Sequence, residues 1–325
     1  MHIRDRPWSA LVGGILLVQF IILLRCLPVS FQRCESAPFS PENPVSASPH
    51  ASDLVFLIRP PDDCASTVET VVFVLSRPSE AQLRQQVRES WAHNTSYNST
   101  RMRVVFVVGN DPQNDWNQPL RTEFRVHGDI VQALVPDKYF ALSQKTLAGF
   151  EWTRRHCPSA KCIVKADDDN VLHLGVYDQT CNQLEDVPTF FGACDPPRDI
   201  ARTGSKWAVP TYVLPDDHYP QYCFAGVYAL TGGRSSVRAL LSAVDRTPFY
   251  TSSNYRMLPE DVLFTGIFAE LAGIPRLPLP GTTIVSAPHF TCHNNRIRTF
   301  ALHMERQKNP KRYWKKMKKL VGLPC

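Results

Sequence analysis

Apolar residues occur with two different periods along most of the chain, and together they predict an α/β domain. Continuous apolar runs at 67–76 (TVETVVFVLS), 102–109 (MRVVFVVG) and 161–166 (KCIVKA) are typical of strands buried on both faces. In 142–156, by contrast, apolar residues recur at helical spacing. Strands that alternate with helices favour a mostly parallel sheet covered on both faces. Further elements are predicted as strands at 129–135 and 189–193, a segment at 228–233 that leads into a helix, and helices near 83–91, 235–245 and 260–272.

The N-terminal region has a different pattern. No charged residue occurs from Trp8 to Leu24, while Arg4 and Arg6 precede this run. Its seventeen residues are close to the lower limit for a membrane-spanning helix. We therefore expect a signal anchor at 8–24, with residues 1–7 in the cytoplasm and the rest of the chain in the lumen. A cleaved signal peptide is the alternative, although no convincing small-residue cleavage site follows the run.

Residues 25–67 predict an extended stem, because the segment 36–61 contains six prolines and many serines. The chain has ten cysteines, eight of them from Cys64 onward, and glycosylation sequons begin at Asn94 and Asn98. These features together indicate an oxidising, lumenal compartment. Disulfide connectivity cannot be deduced from the spacing. The alternative is a zinc site, which would use Cys157, Cys162, Cys181 and Cys194.

The net charge of +6 is a property of the C-terminal tail, residues 306–325. Eight Lys or Arg and no acid occur between Arg306 and Lys319, and the remainder holds 28 basic and 30 acidic residues. Pro310 suits a helix start, and Tyr313 and Met317 begin an apolar stripe at helical spacing. Either a terminal helix docks on the domain with its lysines in water, or a basic helix binds an anionic membrane or an acidic acceptor.

Three consecutive carboxylates, Asp167, Asp168 and Asp169, follow the apolar strand KCIVKA. In α/β sheets ligands bind at the carboxyl ends of strands. Residues two apart in an extended segment point the same way, so Asp167 and Asp169 could bind one Mn²⁺ or Mg²⁺ that also carries a diphosphate. A simple acidic loop that caps the next helix is the alternative. Neither a P-loop nor a G-x-S-x-G motif is present.

Several ordered blocks resemble the β-1,3-galactosyltransferase family, glycosyltransferase family 31, which includes β-1,3-N-acetylglucosaminyltransferases. The similarity covers roughly residues 68 to 293. The blocks are LRQQVRESWA with Arg84, Arg88 and Trp91; VVFVVG; EFRVHGDIVQ followed by DKYFALSQKT; KADDDN; KWAVP with YPQYCFAGVYAL; and PEDVLFTG. The chain departs from the family pattern at His127, Ala141, Ala225 and Val227. The last two replace glycines, and their side chains could narrow the site.

The resemblance implies a GT-A fold at 68–305, which is a Rossmann-like domain, and inverting transfer from a metal-bound UDP-sugar. It implies that Asp169 is the main metal ligand, and the strand geometry makes Asp167 a second candidate. His289 and His293 are candidates for a further ligand. The resemblance places the general base that deprotonates the acceptor hydroxyl at Asp261. Glu260 and Asp261 could equally be acids that favour a helix N-terminus.

Further basic and acidic residues are candidates for donor binding. Arg84 and Arg88 could pair with the diphosphate, or they could be solvated helix charges. Lys145 carries the same two interpretations. Asp167 and Asp168 complete the predicted donor site.

The sequence thus predicts a Golgi type II membrane glycosyltransferase that adds a β-1,3-linked sugar, galactose first among the alternatives, to a glycan acceptor. Its partners would be a UDP-sugar, the glycan and the Golgi membrane, with no nucleic acid. Two alternatives differ in class. One is a non-catalytic lumenal relative that acts as a chaperone or binding partner of another transferase. The other is a metal-dependent lumenal hydrolase.

Overall fold

The computed structural model describes residues 53–322, with gaps at 94–99, 115, 185, 206, 284–291, 294–295, 298–299 and 305–308. The predicted anchor at 8–24, most of the predicted stem and the sequons at Asn94 and Asn98 therefore lie outside the described residues. Among the helices that are described, none is long and apolar enough to cross a membrane.

The strands predicted from continuous apolar runs are present, and several short strands join them. In chain order they are β1 (Phe56–Ile58), β2 (Thr70–Leu75), β3 (Met102–Asn110), β4 (Ile130–Pro136), β5 (Cys162–Asp167), β6 (Asn170–Leu172), β7 (Phe190–Asp195), β8 (Tyr222–Leu230), β9 (Arg276–Pro278), β10 (Thr282–Thr283), β11 (Cys292–His293), β12 (Arg296–Ile297) and β13 (Ala301–His303). Strand β1 lies inside the predicted stem, so the folded domain begins upstream of the predicted boundary at residue 68.

The helices cover the sheet and include one irregular element. They are α1 (Ala81–Arg88), α2 (Asn117–His127), α3 (Leu142–His156), α4 (Leu174–Leu184), α5 (Gly233–Asp245), α6 (Ser253–Arg256), α7 (Phe268–Leu271) and α8 (Pro310–Leu320). The helix predicted at 260–272 differs in kind, because residues Val262–Ile267 are π-helical and only then continue into α7. Wide turns of this type are frequent at functional sites.

The main sheet has eight strands in the order β1-β4-β3-β2-β5-β8-β7-β9. Strands β4, β3, β2 and β5 are mutually parallel, β8 runs antiparallel to β5 and β7, and β9 is parallel to β7. The prediction of a mixed, mostly parallel sheet flanked by helices is confirmed. From β2 the chain moves outward to β3 and β4, then returns to the opposite side of β2 to form β5.

Two hydrophobic cores lie on the two faces of this sheet. Alternate side chains of β2 point to opposite faces. Val71 and Phe73 belong to one core, and Val72 and Val74 belong to the other. The first core also contains apolar side chains of α3 and α5, and the second those of α1, α4 and α8. The predicted C-terminal helix is therefore docked. Its Trp314 and Met317 are buried, and Asn309 caps its first turn by accepting from the Arg312 N–H at 3.0 Å.

Three disulfide bonds join described cysteines: Cys64–Cys157, Cys162–Cys181 and Cys194–Cys223. The first bond fastens the segment after β1 to the end of α3, and the third joins neighbouring residues of β7 and β8. The zinc alternative is wrong, since all four of its proposed ligands are consumed by these bonds. Cross-links of this kind stabilise a domain by about 2–4 kcal/mol each.

A small second sheet, in the order β10-β13-β6, brings the C-terminal part of the chain to the aspartate turn. Strand β13 pairs with β6 so that His303 lies opposite Asn170. The Met304 N–H donates to the Asp169 carbonyl at 2.7 Å. Residues of β13 and Met304 therefore lie beside the aspartates at the end of β5.

Candidate active site

The carboxyl ends of β2 and β5 mark a point where the strand order reverses. Such reversals leave a crevice between the loops that follow the two strands, and ligands of open α/β sheets bind there. The Asp168 N–H donates to the Leu75 carbonyl at 3.1 Å, which places the aspartates at this crevice. The expectation that they lie at the end of a buried strand is confirmed.

The three aspartates do not continue one extended strand. Strand β5 ends at Asp167, and Asp168 and Asp169 form the turn into β6. The strand alternation used to predict a shared direction for Asp167 and Asp169 therefore does not apply. Asp168 is buried, while Asp167 and Asp169 are partly exposed. The turn gives each carboxylate a different environment.

Lys165, which points from β5 into the protein, links two of the acidic groups. Its Nζ lies 2.9 Å from Asp167 Oδ1 and 2.9 Å from Glu260 Oε2. The second carboxylate oxygen of Glu260 accepts from the Tyr228 hydroxyl. Sequence reasoning did not select Lys165, Tyr228 or the structural role of Glu260. The sequence signal for Lys165 was its position within an otherwise apolar buried strand.

The electrostatics of this cluster are those of a buried ion network. Burial by itself would lower the pKa of Lys165, but the charges of Asp167 and Glu260 outweigh that effect and raise it. Burial raises the pKa of Asp167 to about 6, and the nearby Asp169 and Glu260 add to the rise while Lys165 opposes it. Lys165 therefore stays protonated, and its ammonium pairs with the carboxylates of both Asp167 and Glu260.

A bulge in β8 contacts the same carboxylate. The register between β7 and β8 shifts after Gly192, and Gly226 in the bulge has φ of +71°. A Cβ at Gly226 would overlap Asp167 Oδ2, so this position accepts only glycine. The adjacent Val227, expected from the sequence to narrow the site, is instead fully buried in the core on the face that α1 and α4 cover.

Asp261 begins the π-helical turn directly after Glu260. Its Oδ1 accepts from the Val262 N–H at 3.0 Å, and its carbonyl accepts from the Thr265 hydroxyl at 2.6 Å. The same hydroxyl accepts from the Cys223 N–H at 2.8 Å, which ties this turn to β8. The Asp261 carboxylate thus both caps the turn and remains partly exposed at the crevice.

The pKa of Asp261 is raised to about 7, first by burial and then by the charge of Glu260. Lys165 and the Val262 N–H oppose this rise without cancelling it. A carboxylate with a pKa near neutrality is suited to accept a proton and pass it on. The helix dipole lowers the pKa of an ordinary helix-start acid, whereas the pKa of Asp261 is raised.

Asp169 meets a histidine that the sequence analysis did not select. Its Oδ2 lies 3.4 Å from His303 Nε2, and both side chains are partly exposed. Two ligands bound side by side to a Mn²⁺-sized ion at about 2.1 Å would be about 3 Å apart, so this pair fits a divalent cation. Among the described residues no group of three or more His, Cys, Asp or Glu is arranged as a metal site. The pair could therefore hold a cation only together with ligand oxygens and water.

The other predicted histidines stay as predictions. His289 lies outside the described residues, and for His293 only the backbone, in β11, is described. A signal for His303 was present in the sequence, since it is one of several histidines downstream of the aspartates. No local pattern distinguished it, because its position depends on the pairing of β13 with β6.

Arg84 and Arg88 both pair with acidic residues of the protein, so neither is a solvated helix charge. The Arg84 side chain is completely buried, and its donors reach Glu123, the Ser76 hydroxyl and two backbone carbonyls. Arg88 binds Asp129 and Glu123 at 2.7–2.8 Å. Both guanidinium groups serve to join α1 to α2 and to the turn before β4.

We expect the substitution Arg84→Met to cost folding stability, because it leaves Glu123 partly uncompensated within the protein. Loss of one partner of a buried ion pair destabilises by about 3–5 kcal/mol. Arg101→Met is the matched control, since Arg101 pairs with Glu69 at the surface and such pairs contribute about 0–1 kcal/mol. Denaturant unfolding of both variants measures the difference. An unchanged midpoint for Arg84→Met, together with weaker UDP binding, would return Arg84 to the donor site.

Lys145 lies on α3 and reaches the carboxyl end of β2. Its Nζ donates to the Ser76 carbonyl at 3.0 Å and lies 3.3 Å from Asp137 Oδ2. Burial lowers its pKa, whereas the charges of Asp137, Asp168 and Asp167 raise it and offset part of that effect. Lys145 therefore borders the crevice, as predicted, but its ammonium is already engaged by Asp137.

A cavity opens next to the turn that carries Glu260 and Asp261. It is open to solvent, and the space between its walls, open solvent included, is about 710 Å³. Exposed aromatic side chains surround it: Tyr139, Phe140, Trp207 and Tyr212 are 43%, 57%, 55% and 78% exposed. Burial raises the pKa of Tyr139, and the charge of Asp261 contributes to the rise. Glu260, the chain neighbour of Asp261, lines the cavity.

The family model for galactosyltransferases matches residues 82–280 of this sequence. The chain belongs to the galactosyltransferase family. This galactosyltransferase-family protein is 25% identical over 285 residues to mouse beta-1,3-galactosyltransferase 1, covering 86% of the chain and 82% of the relative. It is 26% identical over 219 residues to gorilla beta-1,3-galactosyltransferase 5, covering 66% and 72% respectively. The family resemblance read from the ordered blocks is confirmed.

Solved structures show a more distant similarity to this galactosyltransferase-family protein. The galactosyltransferase LgtC in complex with donor and acceptor sugar analogs is 12% identical, with a TM-score of 0.36. The match covers 78% of this chain and 97% of that one. Mouse xyloside xylosyltransferase 1 has 10% identity and a TM-score of 0.32, covering 74% and 98%. TM-scores this low do not establish a shared fold.

Proposed function

We propose that this protein is an inverting GT-A glycosyltransferase that transfers galactose from UDP-galactose to a glycan hydroxyl in β-1,3 linkage. The observation that carries the proposal is the Lys165 bridge. It joins Asp167 of the aspartate turn to Glu260, the neighbour of Asp261. A candidate donor site and a carboxylate with a pKa near 7 are thereby held at one crevice.

Asp261 is the general base of the proposed reaction. Its carboxylate accepts the proton of the acceptor hydroxyl as that oxygen attacks the anomeric carbon and the bond to UDP breaks. Base and leaving group act on opposite faces of the sugar ring, so the anomeric configuration inverts. Thr265 and the Val262 N–H fix the position of Asp261. Glu260 is a positioning residue, since both of its oxygens are occupied by Lys165 and Tyr228.

Asp169 and His303 are the residues that would hold a divalent cation, Mn²⁺ or Mg²⁺, with Asp167 close by. A bound cation would stabilise the charge that develops on the departing diphosphate. The glycine at 226 keeps space beside Asp167 free. Lys145 and Asp168 border the same crevice and would contribute to the electrostatics around the donor.

The aromatic cavity is the proposed acceptor site. Its rim includes Trp207 and Tyr139, whose side chains hydrogen-bond to each other, and it borders Glu260. Flat apolar faces with a few polar groups suit a pyranose ring, which has both apolar and hydroxyl-bearing edges. The three disulfide bonds and the apolar N-terminal segment support placement in the Golgi lumen behind a type II signal anchor.

Purified full-length protein in detergent, supplied with UDP-galactose, UDP-N-acetylglucosamine or UDP-N-acetylgalactosamine and Mn²⁺, tests the activity. We expect UDP release that depends on a glycan acceptor. UDP release of equal rate without acceptor would support the hydrolase instead. No release from any donor, by a folded protein that binds another transferase, would support the non-catalytic alternative.

The basic helix α8 packs on the sheet face opposite the core that borders the acceptor cavity. We therefore expect replacement of Lys315, Lys316, Lys318 and Lys319 by Gln to leave folding and transfer kinetics unchanged. Kinetics with acidic and neutral acceptors at low and high salt measure this. A loss of affinity for acidic acceptors that is confined to low salt would show instead that the tail recruits them.

A further inference from the structure

A guanidinium group in the aromatic cavity has no acidic partner in the part of the chain that the structure describes. Arg256 is the last residue of α6 and lines the cavity. Its Nη1 donates to the Phe249 carbonyl at 2.7 Å. An arginine side chain has five N–H donors, and among the described residues no carboxylate pairs with Arg256. Burial lowers the pKa of Arg256.

The acidic residue that also lines the cavity is engaged by other side chains. Glu260 uses one oxygen for Lys165 and the other for Tyr228. Arg256 also differs from the other arginines near the cavity loop. Arg202, for example, donates to the carbonyls of Val209, Leu214 and Asp216 and so holds the loop in place. The remaining donors of Arg256 are available to a ligand.

The position of Arg256 is fixed by its own backbone. Its carbonyl accepts from the Ser143 hydroxyl at 2.8 Å, which connects α6 to the start of α3. Ser252 caps α6 by accepting from the Tyr255 N–H at 3.2 Å. A partly desolvated cation held in place inside a cavity binds anions more strongly than a flexible surface lysine would, because less side-chain freedom is lost on binding.

We propose that Arg256 recognises an anionic group, a carboxylate or a sulfate ester, on the acceptor sugar. The inference rests on the proposed function, since it takes the cavity to be the acceptor site. The aromatic rim would contact the apolar face of the ring, while the guanidinium pairs with the anion. The substrate class is thus an acidic glycan rather than a neutral one.

The test uses acceptors that differ only at C6. Phenyl β-glucoside, phenyl β-glucuronide and the 6-O-sulfated glucoside are titrated into the full-length protein in the presence of UDP and Mn²⁺, and binding is measured by calorimetry. We expect at least one acidic probe to bind about 10- to 100-fold more tightly than the glucoside, because hydrogen bonds to charged groups contribute more than neutral ones. Comparison of the two acidic probes identifies which anion is preferred.

Three variants make the test specific. In Arg256→Gln the preference for acidic probes should disappear while affinity for the glucoside stays the same, and Arg256→Lys should restore part of the preference. Arg246→Gln is the matched control, because Arg246 also donates to a backbone carbonyl, that of Leu271, outside the cavity. Its binding should equal that of the wild type. Thermal unfolding confirms that the variants are folded.

Equal binding of acidic and neutral probes by the wild type would overturn the inference. Weaker UDP binding by Arg256→Gln would also overturn it, since the anion would then be the donor diphosphate. A different result would contradict the proposed function. Intact preference without any sugar transfer would contradict the transferase assignment alone, and transfer without preference would contradict only the role of Arg256.

Discussion

Asp261→Asn is expected to lower kcat by about 10²- to 10⁴-fold, the usual cost of losing a general base. The amide keeps the size of the side chain, and its oxygen can still accept from the Val262 N–H as the carboxylate does. It cannot accept the proton of the acceptor hydroxyl. UDP affinity should therefore stay close to that of the wild type, and steady-state kinetics together with calorimetric UDP binding measure both quantities.

The pH dependence gives a second signature of Asp261. With a pKa of about 7, the wild type should be half-maximally active near pH 7 and level off about one pH unit above it, because only the ionised carboxylate accepts a proton. The pH profile of Asp261→Asn should lack this rise in activity.

The stability of the folded wild type should fall over the pH range in which its activity rises. Since the folded pKa lies above the ordinary 3.8, ionisation of Asp261 costs folding free energy between about pH 4 and pH 7. The Asn variant should therefore unfold at a higher temperature than the wild type at neutral pH and not at pH 4.

Asp245→Asn is the control for this prediction, since Asp245 is an exposed carboxylate at the end of α5. It should change neither the rate nor the pH profile. Turnover by Asp261→Asn equal to that of the wild type, at any pH, would contradict the assignment of Asp261 as the base and return it to a role in capping the π-helical turn.

Asp169→Ala and His303→Ala are each expected to reduce transfer by about 10³-fold or more, with folding retained. Stabilisation of a leaving group by a metal supplies several kcal/mol, and about 1.4 kcal/mol corresponds to a tenfold change in rate. Both side chains are partly exposed, so their truncation leaves no large cavity in the core. The Mn²⁺-dependent part of UDP binding should disappear in both variants, which calorimetry with and without Mn²⁺ measures.

Asp63→Ala and His156→Ala provide a matched pair of controls. His156 Nδ1 lies 2.8 Å from Asp63 Oδ1, next to the disulfide between Cys64 and Cys157 and away from the aspartate turn. These variants should keep Mn²⁺-dependent UDP binding. If Asp169→Ala binds UDP with the same Mn²⁺ dependence as the wild type, the 3.4 Å contact between Asp169 and His303 is only a surface ion pair.

The fold class was readable from the sequence because it depends on short-range patterns. The apolar runs of β2, β3 and β5 and the helical spacing of α3 are each contained within fewer than sixteen residues. The ordered blocks added the family, which the family model confirms. Short strands such as β6 and β13 were missed, because two or three residues do not form a recognisable period.

Roles of charged residues could be predicted only in part. Asp261 and Asp169 stay predictions as the general base and a metal ligand, and the sequence places both at the ends of predicted elements. For Arg84 and Arg88 the sequence leaves open a diphosphate ligand or a solvated helix charge, and neither interpretation includes their partners Glu123 and Asp129, up to 41 residues further along the chain. Sequence reasoning treats a basic residue near a predicted site as available, whereas a folded chain has often paired it already.

The sequence by itself determined the alternation of strands and helices, the aspartate triplet at a strand end and the family, because local periodicity and ordered motifs encode them. Only the tertiary structure decided which charges meet. Lys165 binds Glu260 across 95 residues of chain, His303 reaches Asp169 through the pairing of β13 with β6, and Arg256 lines a cavity with no carboxylate partner among the described residues. Ion pairs depend on distances of a few ångströms. Those distances are set by strand order and loop path, which no local pattern records.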